Sequence, residues 1–269
     1  MKTIFYDVDT QNDFMNKNGA LYVPNAELIK TNLAKLTRYA CEQGIPIFGS
    51  VDRHFGTPEY KEREAELTQN GGPFPNHCMD KTDGQLKIKE TEMCAELTTV
   101  YEVNTGFINN PLTGKAVYLH TKEGKICLER RKTLHQSAIL AYKDITAFIK
   151  KNISWKCSDP FAFRIESEEF MTSGIFFEKQ HYDVATNPWF EKVMQAISPE
   201  RAIVYGVATD YCVKAGALTL RKIGVPEVYV VTDTIRGITP EGSKKALEEM
   251  IEAGVKLTTL EDVLRGKRK

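Results

Sequence analysis

The sequence predicts an α/β protein in three layers, α/β/α, with helices on both faces of a central, mostly parallel sheet. Apolar runs of strand length alternate with amphipathic segments at both ends of the chain. These runs are nearly continuous, as in strands that are covered on both faces. The chain has 269 residues, 42% of them hydrophobic, which is enough to bury the core of one large domain.

The first elements are a strand, a helix and a second strand. The run KTIFYDVD is apolar and of strand length, and IPIFGSVD has the same character. Between them, NAELIKTNLAKLTRYACEQG carries apolar residues at helical spacing. This pattern predicts one helix that begins after Asn25 as its N-cap and ends at Gly44.

The same alternation returns near the C-terminus. GIFFEK, RAIVYGVA and EVYVVTD are strand-like, and PWFEKVMQAI, DYCVKAGALTLRKIG and PEGSKKALEEMIEAG are helix-like, with the short VKLTTL last. We interpret the chain as a single domain, 1–269, that carries an insertion at about 94–170. The insertion contains a predicted hairpin, KAVYLHTKEGKICLERR, and a predicted amphipathic helix, TLHQSAILAYKDITAFIKK. A lid over the site, an oligomer contact and a peripheral decoration all remain open for it.

Composition excludes several classes of partner. Lys and Arg total 36 and so do Asp and Glu, so no global field attracts nucleic acid or an anionic membrane. No apolar run approaches the roughly 18 residues of a membrane span, and the strand-like start predicts no signal peptide. The six cysteines are scattered without a CxxC pair, which is typical of a reduced, cytoplasmic protein.

Reactive side chains follow three of the predicted strands. Asp9 follows the first, Lys179 ends GIFFEK, and Cys212 follows RAIVYGVA in the turn ATDYC. Ligand sites of parallel sheets lie at the carboxyl ends of the strands, so these residues are expected to converge. A helix N-terminus and a nearby ammonium would lower the pKa of a thiol, and a carboxylate could exchange its proton. The alternative is that Cys212 is a small core residue.

A second group of side chains suggests a metal site. Asp52 and His54 lie two residues apart on an extended segment, and His77 returns after a loop. One carboxylate and two imidazoles suit a divalent metal such as zinc, iron or manganese. Glu59 is a candidate fourth ligand, but spacing does not choose between it and three neighbours, Glu62, Glu64 and Glu66.

Five motifs resemble one enzyme family. DVDTQNDF, SVDRH, PFPNHC, FEKQHYDVATNP and YGVATDYCV occur in the order and character of the nicotinamidase and isochorismatase-like cysteine hydrolases. The resemblance covers roughly residues 1–92 and 170–264. It implies the isochorismatase-like hydrolase fold and a catalytic triad of Asp9, Lys179 and Cys212.

The resemblance also implies details of the nucleophile turn. The family has a non-proline cis peptide, which here falls between Val207 and Ala208. Its oxyanion hole would be the backbone N–H groups of Ala208 and Cys212. Phe14 and Phe74 occupy positions where the family keeps walls around the substrate ring, with ordinary core packing as the alternative.

The implied function is hydrolysis of a small amide. Isochorismatases proper lack the cysteine and the metal histidines, so Cys212, His54 and His77 favour the metal-containing amidohydrolases. We therefore expect a zinc-dependent nicotinamidase, which makes nicotinate and ammonia through a thioester, and a homo-oligomer. Two alternatives stay open: hydrolysis of another small amide or ureido compound, and a non-catalytic binding protein.

Overall fold

The computed structural model describes residues 2–43, 45–91, 116–119, 125–129, 140–141 and 174–266. In this part of the chain, nine strands form one sheet in the order β5-β4-β3-β6-β2-β1-β7-β8-β9. Their bounds are β1 Thr3–Val8, β2 Ile47–Asp52, β3 Ala116–Leu119, β4 Lys125–Glu129, β5 Leu140–Ala141, β6 Gly174–Lys179, β7 Arg201–Val207, β8 Glu227–Arg236 and β9 Lys256–Thr258.

The sheet is mostly parallel, as the apolar runs predicted. Neighbouring strands are parallel from β3 through β6, β2, β1, β7 and β8 to β9. Strand β4 is antiparallel to both β3 and β5. The predicted hairpin is therefore present as the β3–β4 pair, and it extends the edge of the central sheet.

One prediction within the insertion is wrong at two residues. Leu140–Ala141 lie inside the predicted amphipathic helix but form β5, which pairs with β4. The run from Ala138 to Ala141 is apolar without interruption, so it fits a short strand as well as a helix face. The rest of that predicted helix lies outside the described residues.

Helices cover both faces of the sheet. Their bounds are α1 Asn12–Met15, α2 Lys30–Glu42, α3 Phe190–Ile197, α4 Lys214–Lys222, α5 Pro240–Glu252 and α6 Leu260–Leu264. Tyr6 of β1 packs in the core with residues of α3, α4 and α5. Its neighbour Phe5 packs in a second core with residues of α2 and α6, because successive side chains of a strand point to opposite faces. This arrangement confirms the three-layer α/β/α fold.

Helix α2 begins later than predicted. Ala26–Ile29 form a 3-10 turn, and the α-helix starts at Lys30. Asn25 has φ 63°, in the left-handed region, and its side chain makes no capping hydrogen bond.

Among the described helices, none combines the length and apolar character needed to cross a bilayer.

The strand order places the ends of four strands side by side. Val8 of β1 lies opposite Ser50 of β2 and Gly206 of β7, and Asp52 of β2 lies opposite Lys179 of β6. Gly206 has φ +118°, and a Cβ there would lie 2.0 Å from the carbonyl oxygen of Val8, so a side chain is excluded. Residues that follow these strands must therefore meet at one edge of the sheet.

Candidate active site

The structure brings Asp9, Lys179 and Cys212 together at this edge. Lys179 Nζ lies 2.8 Å from Asp9 Oδ2 and 3.6 Å from Cys212 Sγ. Asp9 and Lys179 are fully buried, whereas Cys212 is partly exposed and lies in a π-helical turn, Thr209–Val213. The expected convergence is therefore present.

Ser50 orients the Asp9 carboxylate. Its hydroxyl donates a hydrogen bond of 2.7 Å to Asp9 Oδ1, and the Asp9 N–H donates to the Ser50 carbonyl at 3.1 Å. Oδ2 is thereby left to face Lys179. Sequence reasoning missed Ser50, although a buried hydroxyl in the otherwise apolar IFGSV run was a signal that it has a partner.

The three groups influence one another's proton affinity. Burial raises the pKa of Asp9, and Lys179 offsets this only in part. Burial alone would lower the pKa of Lys179, but the carboxylates of Asp52 and Asp9 raise it well above its usual range. Lys179 is therefore a cation between two carboxylates, and the hydrogen bond it donates to Asp52 Oδ1 is very short.

The pKa of Cys212 differs from the sequence-based expectation. Burial raises it well above the usual value, and the nearby Asp9 and Asp52 raise it further against the opposing effect of Lys179. The expected lowering of the pKa is absent because burial of the thiol outweighs the effect of Lys179. The thiol thus keeps its proton at rest, beside a carboxylate whose raised pKa suits it to accept that proton.

The nucleophile turn is built around Ala208. The peptide bond between Val207 and Ala208 is cis, at the place that the family resemblance implied. The carbonyl of Ala208 accepts hydrogen bonds from the N–H groups of Tyr211 and Val213, at 3.1 and 3.0 Å. Ala208 and Cys212 both line the pocket described below, and the oxyanion hole on their N–H groups stays a prediction.

Four buried residues beside the triad fit a divalent metal. Asp52, His54, Glu66 and His77 can each offer one ligand atom, and these atoms lie within 4.8 Å of one another. Two imidazoles and two carboxylates are a donor set that zinc accepts in tetrahedral sites. Both ring nitrogens of His54 are buried without a hydrogen-bond partner, so a cation bound at one of them would satisfy an otherwise unpaired atom.

Glu66 takes the place that was expected for Glu59. Glu59 is exposed in the 3-10 turn Pro58–Tyr60 and lies outside the group. The N–H of Phe74 donates a hydrogen bond of 3.0 Å to the Glu66 carbonyl, which holds the Glu66 backbone beside the segment that leads to His77. The Glu66 Oε1 atom lies 3.8 Å from His77 Nε2. The expectation of Glu59 as a ligand is therefore corrected.

The other two glutamates do not compete with Glu66. Glu62 is exposed. Glu64 is buried, but its carboxylate accepts the N–H groups of Phe55 and Gly56, the latter at 3.0 Å. It therefore shapes the loop after His54.

Backbone hydrogen bonds orient Asp52 and His77. The side-chain amide of Gln11 accepts the Asp52 N–H and donates to the Asp52 carbonyl, both at 2.7 Å. It thus continues the β1–β2 ladder after β1 has ended. His77 Nδ1 donates to the Pro75 carbonyl at 2.7 Å. In the neutral ring the lone pair is then on Nε2, the atom that would bind a cation, and Nε2 lies 3.4 Å from Asp52 Oδ2. Sequence reasoning missed Gln11.

An aromatic pocket opens above Cys212 and the four-residue group. It is lined by Phe14 and Phe74, as expected, and also by Tyr182 and Tyr211. The rings of Phe74 and Tyr211 meet edge to face with centroids 5.4 Å apart. The pocket is small, with a cavity volume of about 30 Å³.

The sequence is similar to two curated proteins and to one family model. Residues 164–262 match the isochorismatase domain. Isochorismatase family protein 2A of Dictyostelium discoideum is 26% identical over 115 residues, 42% of this chain and 57% of that protein. A nicotinamidase of Escherichia coli is 45% identical over 65 residues, 23% of this chain and 30% of that protein. The matches thus span about half and about a third of these relatives.

Solved structures share the fold over nearly the whole chain. A pyrazinamidase of Pyrococcus horikoshii in complex with zinc has a TM-score of 0.58 and 22% identity, with 96% of this chain and 99% of that chain covered. A nicotinamidase of Bacillus subtilis has a TM-score of 0.56 and 18% identity, with the same coverage. These neighbours confirm the fold that the family resemblance implied, and the domain match supports that resemblance over residues 164–262.

Proposed function

We propose that this protein is a metal-containing cysteine amidohydrolase that converts nicotinamide and water to nicotinate and ammonia. The premise is that residues 164–262 match the isochorismatase domain and that the chain has the fold of isochorismatase-like hydrolases. One observation carries this proposal. Asp9, Lys179 and Cys212 lie in contact, next to four residues that fit a divalent cation.

The reaction uses the thiol as a nucleophile. Asp9 accepts the proton of Cys212, and the sulfur attacks the amide carbon while Lys179 balances the charge. The N–H groups of Ala208 and Cys212 bind the oxyanion of the tetrahedral intermediate. Ammonia leaves with the proton from Asp9, and water hydrolyses the thioester to nicotinate and the free thiol.

Asp52, His54, Glu66 and His77 would hold the metal. A bound cation, zinc first and iron or manganese as alternatives, would accept a lone pair from a ring nitrogen and so orient the substrate. The zinc in the Pyrococcus horikoshii structure supports this choice. The pocket supports the substrate class, because its mostly apolar and aromatic lining suits a heteroaromatic ring.

Three further proposals concern the whole molecule. We propose a single domain with an insertion at about 94–170, which the pairing of β3 with β6 supports. We also propose a homo-oligomer, which light scattering of the purified chain would test. We also propose a cytoplasmic location, which is supported by the lack of a disulfide bond among the three described cysteines.

The decisive experiment measures ammonia release from nicotinamide by the zinc-loaded protein. We expect turnover that Cys212→Ala abolishes and that the control Cys41→Ala retains, because Cys41 lies in α2, away from the site. No release, but selective alkylation of Cys212 by iodoacetamide, would keep the cysteine hydrolase and point to another amide or ureido substrate. No release, with Cys212 alkylated no faster than the other cysteines, would favour a non-catalytic protein.

A further inference from the structure

We propose that Arg53 is a positioning residue that aligns the metal-binding residues with the strand that carries Lys179. The inference rests on the proposed function and deepens it. Arg53 lies between Asp52 and His54 in the sequence, and successive side chains of an extended segment point to opposite sides. Its guanidinium therefore points away from the four-residue group, and it can influence that group only through the segments to which it is hydrogen-bonded.

The guanidinium binds two carboxylates on two different segments. Nε and Nη2 donate to Asp80 Oδ1 at 2.9 and 2.7 Å, and Nη1 donates to Glu178 Oε1 at 2.7 Å. The side chain of Arg53 is 14% exposed and that of Glu178 only 2%, so solvent screens this network weakly. Asp80 follows His77 by three residues, and Glu178 precedes Lys179.

Backbone contacts show what the guanidinium holds in register. On one side, the Arg53 N–H donates to the Lys179 carbonyl at 3.1 Å, and the Gln180 side-chain amide donates to the Arg53 carbonyl at 2.9 Å. On the other side, the His54 N–H donates to the Cys78 carbonyl at 3.1 Å. Arg53 thus joins the end of β2 to the end of β6 and to the segment after His77.

The shape of the side chain matters as well as its charge. A guanidinium presents donors in a rigid planar fork, so it can serve two carboxylates in different directions. A lysine ammonium is a compact point charge and cannot maintain both sets of contacts. Arg53→Lys therefore keeps the charge opposite Glu178 and removes the bridge.

The experiment measures cobalt binding and thiol reactivity in matched variants. Co²⁺ substitutes for Zn²⁺, and its visible spectrum reports ligand geometry. The rate of Cys212 alkylation by iodoacetamide, measured on metal-free protein by peptide mapping, reports the Lys179 side of the network. The variants are Arg53→Lys, Asp80→Asn and the control Arg201→Lys, since Arg201 pairs with Glu227 at the opposite end of the sheet and is 20% exposed.

We expect Arg53→Lys to raise the Co²⁺ dissociation constant about tenfold, with a changed spectrum and a changed alkylation rate. Asp80→Asn should weaken Co²⁺ binding but leave alkylation near the wild-type rate, because Glu178 stays paired. Arg201→Lys should alter neither.

Two results would overturn the inference while leaving the metal centre intact. One is Arg53→Lys within twofold of wild type in both measurements, and the other is an equal effect of Arg201→Lys. Wild-type protein that binds no Co²⁺ would instead refute the metal centre of the proposed function, and the inference with it. Ammonia release is not needed for any of these readouts, so the wrong choice of substrate cannot be mistaken for failure of the bridge.

Discussion

Gln11→Ala tests whether a side chain completes the ladder at the end of β2. The Gln11 amide makes hydrogen bonds of 2.7 Å with the N–H and the carbonyl of Asp52, and one of 2.7 Å with the Gln85 carbonyl. Its loss leaves both polar groups of the Asp52 backbone without these partners in a buried setting. Each such group costs about 1–3 kcal/mol, so we expect the free energy of unfolding to fall by about 4 kcal/mol.

Urea unfolding followed by circular dichroism measures this change. The control is Gln195→Ala, because Gln195 is on the exposed side of α3 and only donates to Glu191 at 2.9 Å. A surface change of this kind should alter the free energy of unfolding by less than about 0.5 kcal/mol. Equal effects of the two substitutions would show that the Asp52 backbone does not depend on Gln11.

Three other predictions concern the metal and a buried ion pair. Glu66→Gln should weaken Zn²⁺ binding about tenfold in a titration against a chromogenic chelator. Glu59→Gln should leave it unchanged, and a loss there would contradict the assignment of ligands. Chelation should lower the melting temperature of zinc-loaded protein in calorimetry, since a cation at 100 times its dissociation constant stabilises the folded chain by about 2.7 kcal/mol; an unchanged temperature would argue against a structural contribution of the metal. Lys87→Met should lower the free energy of unfolding in urea by about 3–5 kcal/mol, because it removes the buried ammonium 2.7 Å from Asp7 Oδ2. A decrease below about 1 kcal/mol would show that the ion pair contributes little.

The positions of the triad were predictable because each residue follows a strand that its own apolar run reveals. Asp9 follows its run, Lys179 ends its run and Cys212 lies in the turn after its run, and parallel pairing brings all three to one edge. The same argument placed Asp52. Local pattern and general topology were sufficient here, without knowledge of any particular side-chain contact.

The fourth residue of the metal group was not predictable from spacing. Several glutamates lie in the loop between His54 and His77. The choice of Glu66 depends on its pairing with Phe74, a contact between two irregular segments without a periodic signal. The direction of the Cys212 pKa shift was missed for a related reason, because it depends first on how deeply the thiol is buried and then on the carboxylates of Asp9 and Asp52 beside it.

The central place of β1 has a consequence for synthesis of the chain. Thr3 of β1 pairs with Arg201 of β7, roughly 200 residues later, and the two strands end at Asp9 and at the turn that carries Cys212. Asp52, His54, Glu66 and His77 all precede residue 92, so they leave the ribosome long before the thiol is made. The proposed metal ligands can therefore gather while the proposed base is still without a nucleophile, and a truncated chain has no reactive thiol–carboxylate pair. The thiol and its proposed base can thus meet only after β7 has paired with β1.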